Sequence, residues 1–162
     1  MRRNLSRLLL AATGALLAIA FNVDAIAQEP TITQKRDMKF GSYAADPNGT
    51  GTVVISPNAD TVSTTGGIVS FRGTIRRARF QITGDSKADV FIVLPSSITI
   101  RKGTSSNFMT VSNFTMDQSN PIRLSKSGRR TINIGATMTV NAAQKKGNYN
   151  DDNVFTVSAF YN

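Results

Sequence analysis

From Thr131 to Val140 apolar and polar residues alternate without error: Ile132, Ile134, Ala136, Met138 and Val140 against Thr131, Asn133, Gly135, Thr137 and Thr139. A period of two is the signature of a strand with one face buried. Five inward side chains in register stabilise by several kcal/mol, at about 1.5–3 kcal/mol for each large one fully buried. A slip of one residue would expose all five, so the register is strongly specified. A chain built around such a strand must supply neighbouring strands and a second layer to cover it.

Ala78, Phe80 and Ile82 repeat the pattern against Arg77, Arg79, Gln81 and Thr83. Asp89 to Leu94 is apolar on both faces and too short for a buried helix, so it reads as a central strand ended by Pro95. Shorter strands are predicted at 31–41, 51–56, 61–64, 68–71, 98–100 and 108–115. Turn signals such as Asp46-Pro-Asn-Gly49, Pro57-Asn58 and Gly66-Gly67 separate them. Near the C-terminus Phe155, Val157, Ala159 and Tyr161 fall on one side of a strand, after the turn-like text Gly147 to Asp151. No stretch after residue 27 shows a helical apolar stripe. The expectation is an all-β sandwich or barrel formed by one domain over residues 28–162. A terminal strand that helps form the core must pair with something, and strand pairing within or between molecules is the expected route to function.

Residues 1–27 read as a signal peptide. Arg2, Arg3 and Arg7 precede an apolar run of 14 residues from Leu8 to Phe21, and Ala25-Ile26-Ala27 places cleavage between Ala27 and Gln28. The run is short for a membrane span, and no second one follows. The expected product is exported from a Gram-negative-type bacterium to the periplasm, cell surface or medium. It contains no Cys, so no disulfide or lipid anchor, and its stability must come from packing and sheet hydrogen bonds.

The chain also lacks His, which removes the usual general base and the commonest metal ligand. Its one Glu, Glu29, adjoins the cleavage site. The pairs Asp85/Asp89 and Asp151/Asp152 lie in turn-like text, as does Lys126 in Ser125-Lys-Ser127. Asn148, Asn150 and Asp152 have the spacing of the start of a calcium loop, but lack its sixth-position Gly and twelfth-position Glu. No phosphate-binding glycine motif occurs. Neither catalysis, a cofactor nor a metal is expected. From residue 28 onward 16 Lys and Arg stand against 9 Asp and Glu, a net charge of +7. Such a surface attracts polyanions, or simply guards sheet edges and solubility. Arg76, Arg77, Arg79, Arg129 and Arg130 are the candidate polyanion patch, if they converge on one rim; Arg72, Arg101-Lys102 and Lys145-Lys146 are the other basic positions. No aromatic platforms are interleaved with them, so nucleic acid is not an expected partner.

With the strands laid out, the chain resembles a bacterial secreted family known as domain of unknown function 4402. The resemblance rests on Phe40-Gly41, Gly51-Thr-Val-Val-Ile-Ser-Pro57, Gly66-Gly67, Ala78-Arg-Phe-Gln-Ile-Thr-Gly84 and Val90-Phe-Ile-Val-Leu-Pro95. It continues through Met109 to Phe114, Ile134 to Val140, and Gly147-x-Tyr149 running to Phe160-Tyr161-Asn162. That family is similar in turn to the pilin-type and spore-coat-U-like domains of chaperone–usher systems. The likeness implies an immunoglobulin-like (pilin-like) antiparallel β-sandwich of Greek-key type. It also implies a fimbria-like subunit of a surface fibre or coat, active in adhesion and assembled by strand donation. Its partners would be other copies of itself or related subunits, with a periplasmic chaperone and usher. The candidate donor strand carries Ile32, Met38 and Phe40, with polar Gln34 and Arg36 between them. The alternative is a complete sandwich that binds anionic cell-surface polysaccharide through its arginines.

Overall fold

The computed structural model describes residues 28–70, 73–150 and 155–162. Among them the chain forms strands and no helix: β1 (Thr31–Arg36), β2 (Tyr43–Ala44), β3 (Gly51–Ile55), β4 (Val62–Thr65), β5 (Val69–Ser70) and β6 (Ala78–Thr83). There follow β7 (Asp89–Val93), β8 (Ser97–Arg101), β9 (Phe108–Met116), β10 (Ile122–Arg123), β11 (Arg129–Val140) and β12 (Ser158–Tyr161). All pairings are antiparallel.

The alternating segment becomes β11, and its five inward residues are all buried. Ile134 is opposed by Ala78 of β6 on one edge and by Met116 of β9 on the other. Further along, Thr137 is opposed by Val54 of β3 and by Ser112 of β9. One edge of β11 therefore carries β6 and then β3, while β9 runs along the opposite edge with β8 outside it. Gly135 sits at the step from β6 to β3. A Cβ there would lie 2.2 Å from the Ile55 carbonyl oxygen and 2.7 Å from Pro57 N, so only glycine lets β11 pass. β1 closes one end of this main sheet and β4 another.

A second sheet, β10-β7-β12, lies across part of the first. Val90, Ile92 and Ile122 pack on Phe80, Ile82, Ile132 and Ile134. Phe155 adds an edge-on contact to Phe80, with centroids 5.4 Å apart, and a tilted one to Phe114 at 5.0 Å. The result is an all-β antiparallel sandwich curled toward a half-barrel. A second core, built on Val53, Val111, Ala136, Met138 and Val140, lies away from the sheet β10-β7-β12. The irregular segment 38–45 covers it, with Met38, Phe40, Tyr43 and Ala45 turned inward and β2 tied to β5.

Two expectations change. β7 is central in its sheet, but only Val90 and Ile92 are buried. Phe91 and Val93 face outward at 40 % and 52 % exposure, because nothing described covers that face. The first strand ends at Arg36 instead of reaching Gly41. A register shift between Gln34 and Arg36 disrupts its pairing, and only the bridge Lys39–Arg76 continues it.

Candidate assembly groove

Beside the segment 38–45 lies an open groove of about 1270 Å³. Its floor is apolar: Ile98 and Ile100 of β8, Met109 and Val111 of β9, and Met138 and Val140 of β11. One wall is the segment 37–45, and the other is formed by residues 144–150 with Phe155. Strand alternation produces the floor, since each of these residues lies on the inward side of its strand. The rim is polar and basic, with Lys39, Lys145 and Lys146.

Each wall is held locally. Tyr43 donates its hydroxyl to the Phe40 carbonyl, and burial raises its pKa above the ordinary 10.0. On the other wall Tyr149 donates to the Lys145 carbonyl at 2.6 Å and accepts from Gln144 Nε2 at 2.8 Å. Asn150 and Arg101 exchange backbone bonds of 2.9 Å. Asn150 opposes Arg101 in an isolated bridge, and Ser158 opposes Val93 at the start of β12.

β1 and β12 stand at the ends of their sheets and approach each other without pairing. Their facing edges lead toward the groove, which reaches Gln34 and Asp37 at the end of β1.

The terminal pairing strand predicted from sequence lies inside the fold. Phe155 is buried, Val157, Ala159 and Tyr161 pack against the first core, and β12 pairs with β7. The Asp85 N–H donates to the Tyr161 hydroxyl at 2.8 Å, which ties the end of β12 to the turn before β7. The candidate donor segment is likewise engaged in its own chain. Ile32 opposes Ile82 across β1 and β6, while Met38 and Phe40 help cover the second core. Gln28 is exposed. Ala27 and the rest of the signal segment, Arg72, and the carboxylates Asp151 and Asp152 lie outside the described residues. Ile98, Ile100 and Met109 were not singled out by sequence reasoning, because nothing local distinguishes a groove floor from a covered core.

The five arginines of the candidate polyanion patch have different local settings. Asp60, in the turn between β3 and β4, takes two bonds from Arg36 (2.9 and 3.0 Å) and one from the Arg77 N–H at 3.0 Å. Arg77 Nε lies 3.6 Å from the same carboxylate and its Nη1 donates to the Pro57 carbonyl at 2.7 Å. These contacts, the Arg77 backbone bond first, hold the Asp60 pKa below its ordinary 3.8. Arg79 donates to Asn133 Oδ1 at 3.1 Å, and Asn133 is bonded to Asp117. Arg76 borders a separate hollow of about 450 Å³ beside β1. Arg129 and Arg130 begin β11, four and three residues before Arg79's partner Asn133, and stand opposite Thr83 and Ile82. Among the described residues no three His, Cys, Asp or Glu gather as a metal site.

No match was found among curated proteins or among solved structures. A family model described as domain of unknown function (DUF4402) matches residues 31–161, which takes in every strand from β1 to β12, and the chain belongs to that family.

Proposed function

We propose that this chain is a structural subunit of a bacterial surface fibre or coat, and that its groove receives an extended segment from a neighbouring subunit. The carrying observation is the groove itself: a sheet with an inward apolar face, walled by the chain's own segments and, among the described residues, only partly covered by the irregular segment 38–45. Burying apolar surface at about 25 cal/mol per Å² makes an extended apolar strand the favoured occupant. The unpaired edges of β1 and β12 favour a backbone partner over a small ligand. The signal-like residues 1–27, the absence of Cys and the pilin-like resemblance agree with export and assembly outside the cytoplasm. A glycan-binding reading through Arg76, Arg77 and Arg79 is less favoured, because Asp60 and Asn133 already occupy two of those three side chains.

Pairing of β1 within its own sheet changes how donation would work. Residues 31–36 reach a neighbour only by exchanging the β6 ladder for one in trans, so the donated segment is a swapped β1 or a related subunit's strand. Met109 is half-buried on the groove floor, and Met109→Lys would place a charge where the incoming strand must pack. Electron microscopy of the purified chain from Gln28 onward should show filaments for the parent and none for the variant, with the two melting within a few degrees of each other. Filaments of equal number and length from both would sink the proposal, as would a parent that stays monomeric with related subunits present.

A further inference from the structure

The outer face of the second sheet presents three large apolar side chains to solvent: Phe91 at 40 %, Val93 at 52 % and Phe160 at 53 % exposure. They are contiguous, because Phe160 opposes Phe91 directly across β12 and β7, and Val93 follows two residues along the same face. The other large exposed apolar residues, Val69 and Phe108, belong to different sheets. Two residues before Phe91 on that face is Asp89, whose partner across β10 is Arg123, with an ion pair of 3.1 Å between them.

That end of the sheet is also basic. The turns 84–88 and 124–128 are bonded together there, Lys87 N–H to Ser125 O at 3.1 Å and Gly84 N–H to Gly128 O at 2.9 Å. They bring exposed Lys87, Arg123, Lys126 and Arg130 to one end, with Arg129 beside them on β11. Arg130 donates to the Arg123 carbonyl at 2.9 Å, which fixes the two arginines as neighbours. Asp85 and Asp89 are the acidic residues of the same turns and strand start. Five cations against two carboxylates leave an excess of three positive charges beside an uncovered aromatic face.

We propose that this face docks on an anionic lipid surface, its basic end on the phosphate headgroups and Phe91 and Phe160 at the boundary with the acyl chains. Each alternative leaves half of the arrangement unused. A soluble polyanion satisfies the cations but gives the exposed rings no partner. A second copy would cover the rings but leave the basic ends without an anionic partner, across far fewer apolar residues than a stable interface needs. An anionic bilayer surface is complementary to both parts at once. The site is on the opposite face of the second sheet from its core, and so is independent of the groove and of filament formation.

The test is co-sedimentation of the chain from Gln28 onward with vesicles of phosphatidylglycerol and phosphatidylcholine, against vesicles of phosphatidylcholine alone. The expected result is uptake by the anionic vesicles only, falling steeply with salt. Arg123→Ser and Lys126→Ser should each weaken it about fivefold. Phe91→Ser with Phe160→Ser should weaken it about tenfold or more. These side chains are exposed, so folding is checked by circular dichroism, and Lys126→Ser alone serves should the double variant misfold. Equal uptake by neutral vesicles would overturn the proposal. So would binding to dextran sulfate as tight as to anionic vesicles and unchanged by the phenylalanine substitutions, which would mark a polyanion site. A concentration-dependent dimer abolished by those substitutions, with no vesicle uptake, would assign the face to a second copy instead.

Discussion

Ile132 and Ile134 lie under the sheet β10-β7-β12, whereas Met138 and Val140, a few residues along the same strand, lie under the irregular segment 38–45 and border an open groove. Both pairs are buried, and both descend from one unbroken alternation. The difference is in the cover. A sheet brings its own ladder of backbone bonds and a flat apolar face, so it seals the layer beneath. Among the described residues the backbone of segment 38–45 is tied by the Lys39–Arg76 bridge and the two-residue ribbon of β2 and β5, and it leaves space beside it. A strand's pattern therefore states which side is apolar, and the topology decides whether that side is closed by the same molecule.

The sharpest break of this comparison is one substitution made in each half. Ile134→Ala empties a site with no route to solvent and should cost about 2–5 kcal/mol. Ile100→Ala removes the same atoms from a half-buried groove residue and should cost no more than about 1 kcal/mol. Denaturant titration measures both. Equal losses would mean that the groove is as dry as the sandwich core and already filled.

Next in size is the junction between the halves. Gly135 lets β11 pass from β6 to β3 with the Ile55 carbonyl almost in contact. Gly135→Ala forces β3 away and should cost about 1–3 kcal/mol. The loss should appear first as faster amide exchange in β3 and β4, with β6 and the first half of β11 protected. Uniform loss across both sheets would show that the halves are one cooperative unit.

Much of the sandwich was legible because one-sided burial leaves a period-two trace. β3, β6 and β11 appear in the sequence almost residue for residue, and Phe155, Val157, Ala159 and Tyr161 do pack on the core, although the strand itself is shorter than expected, with β12 covering only Ser158–Tyr161. β2 and β10 escaped, since two residues carry no period. The outer face of β7 misled for a physical reason. Phe91 and Val93 are as apolar as a buried face, and composition does not say whether the cover comes from the same chain. The groove was illegible on similar grounds, because it is defined by what does not lie opposite Ile100 and Met109. The basic residues misled through distance in sequence. Arg77 looks free beside Arg76 and Arg79, until a carboxylate 17 residues earlier is folded against it.

That carboxylate supplies the smallest expected effect, and it acts on the same junction. Asp60 sits in the hairpin turn of β3 and β4, on the groove side, and grips Arg36 of β1 and Arg77 before β6, on the sandwich side. Its pKa is lower folded than the ordinary 3.8, so its contribution is fully present above that value and is lost as pH falls through the folded pKa. The carboxylate is partly exposed, which keeps the effect small. Acidification below 3.8 should loosen β3 and β4 before it touches the first core, and Asp60→Asn should remove that step while leaving any other acid transition in place. Exchange rates of the Val53 and Val54 amides, followed from pH 6 to pH 3, make the measurement. A variant whose β3 amides respond to acid as the parent's do would show that the two halves are joined through Gly135 and the β11 backbone alone, with the ion pairs as bystanders.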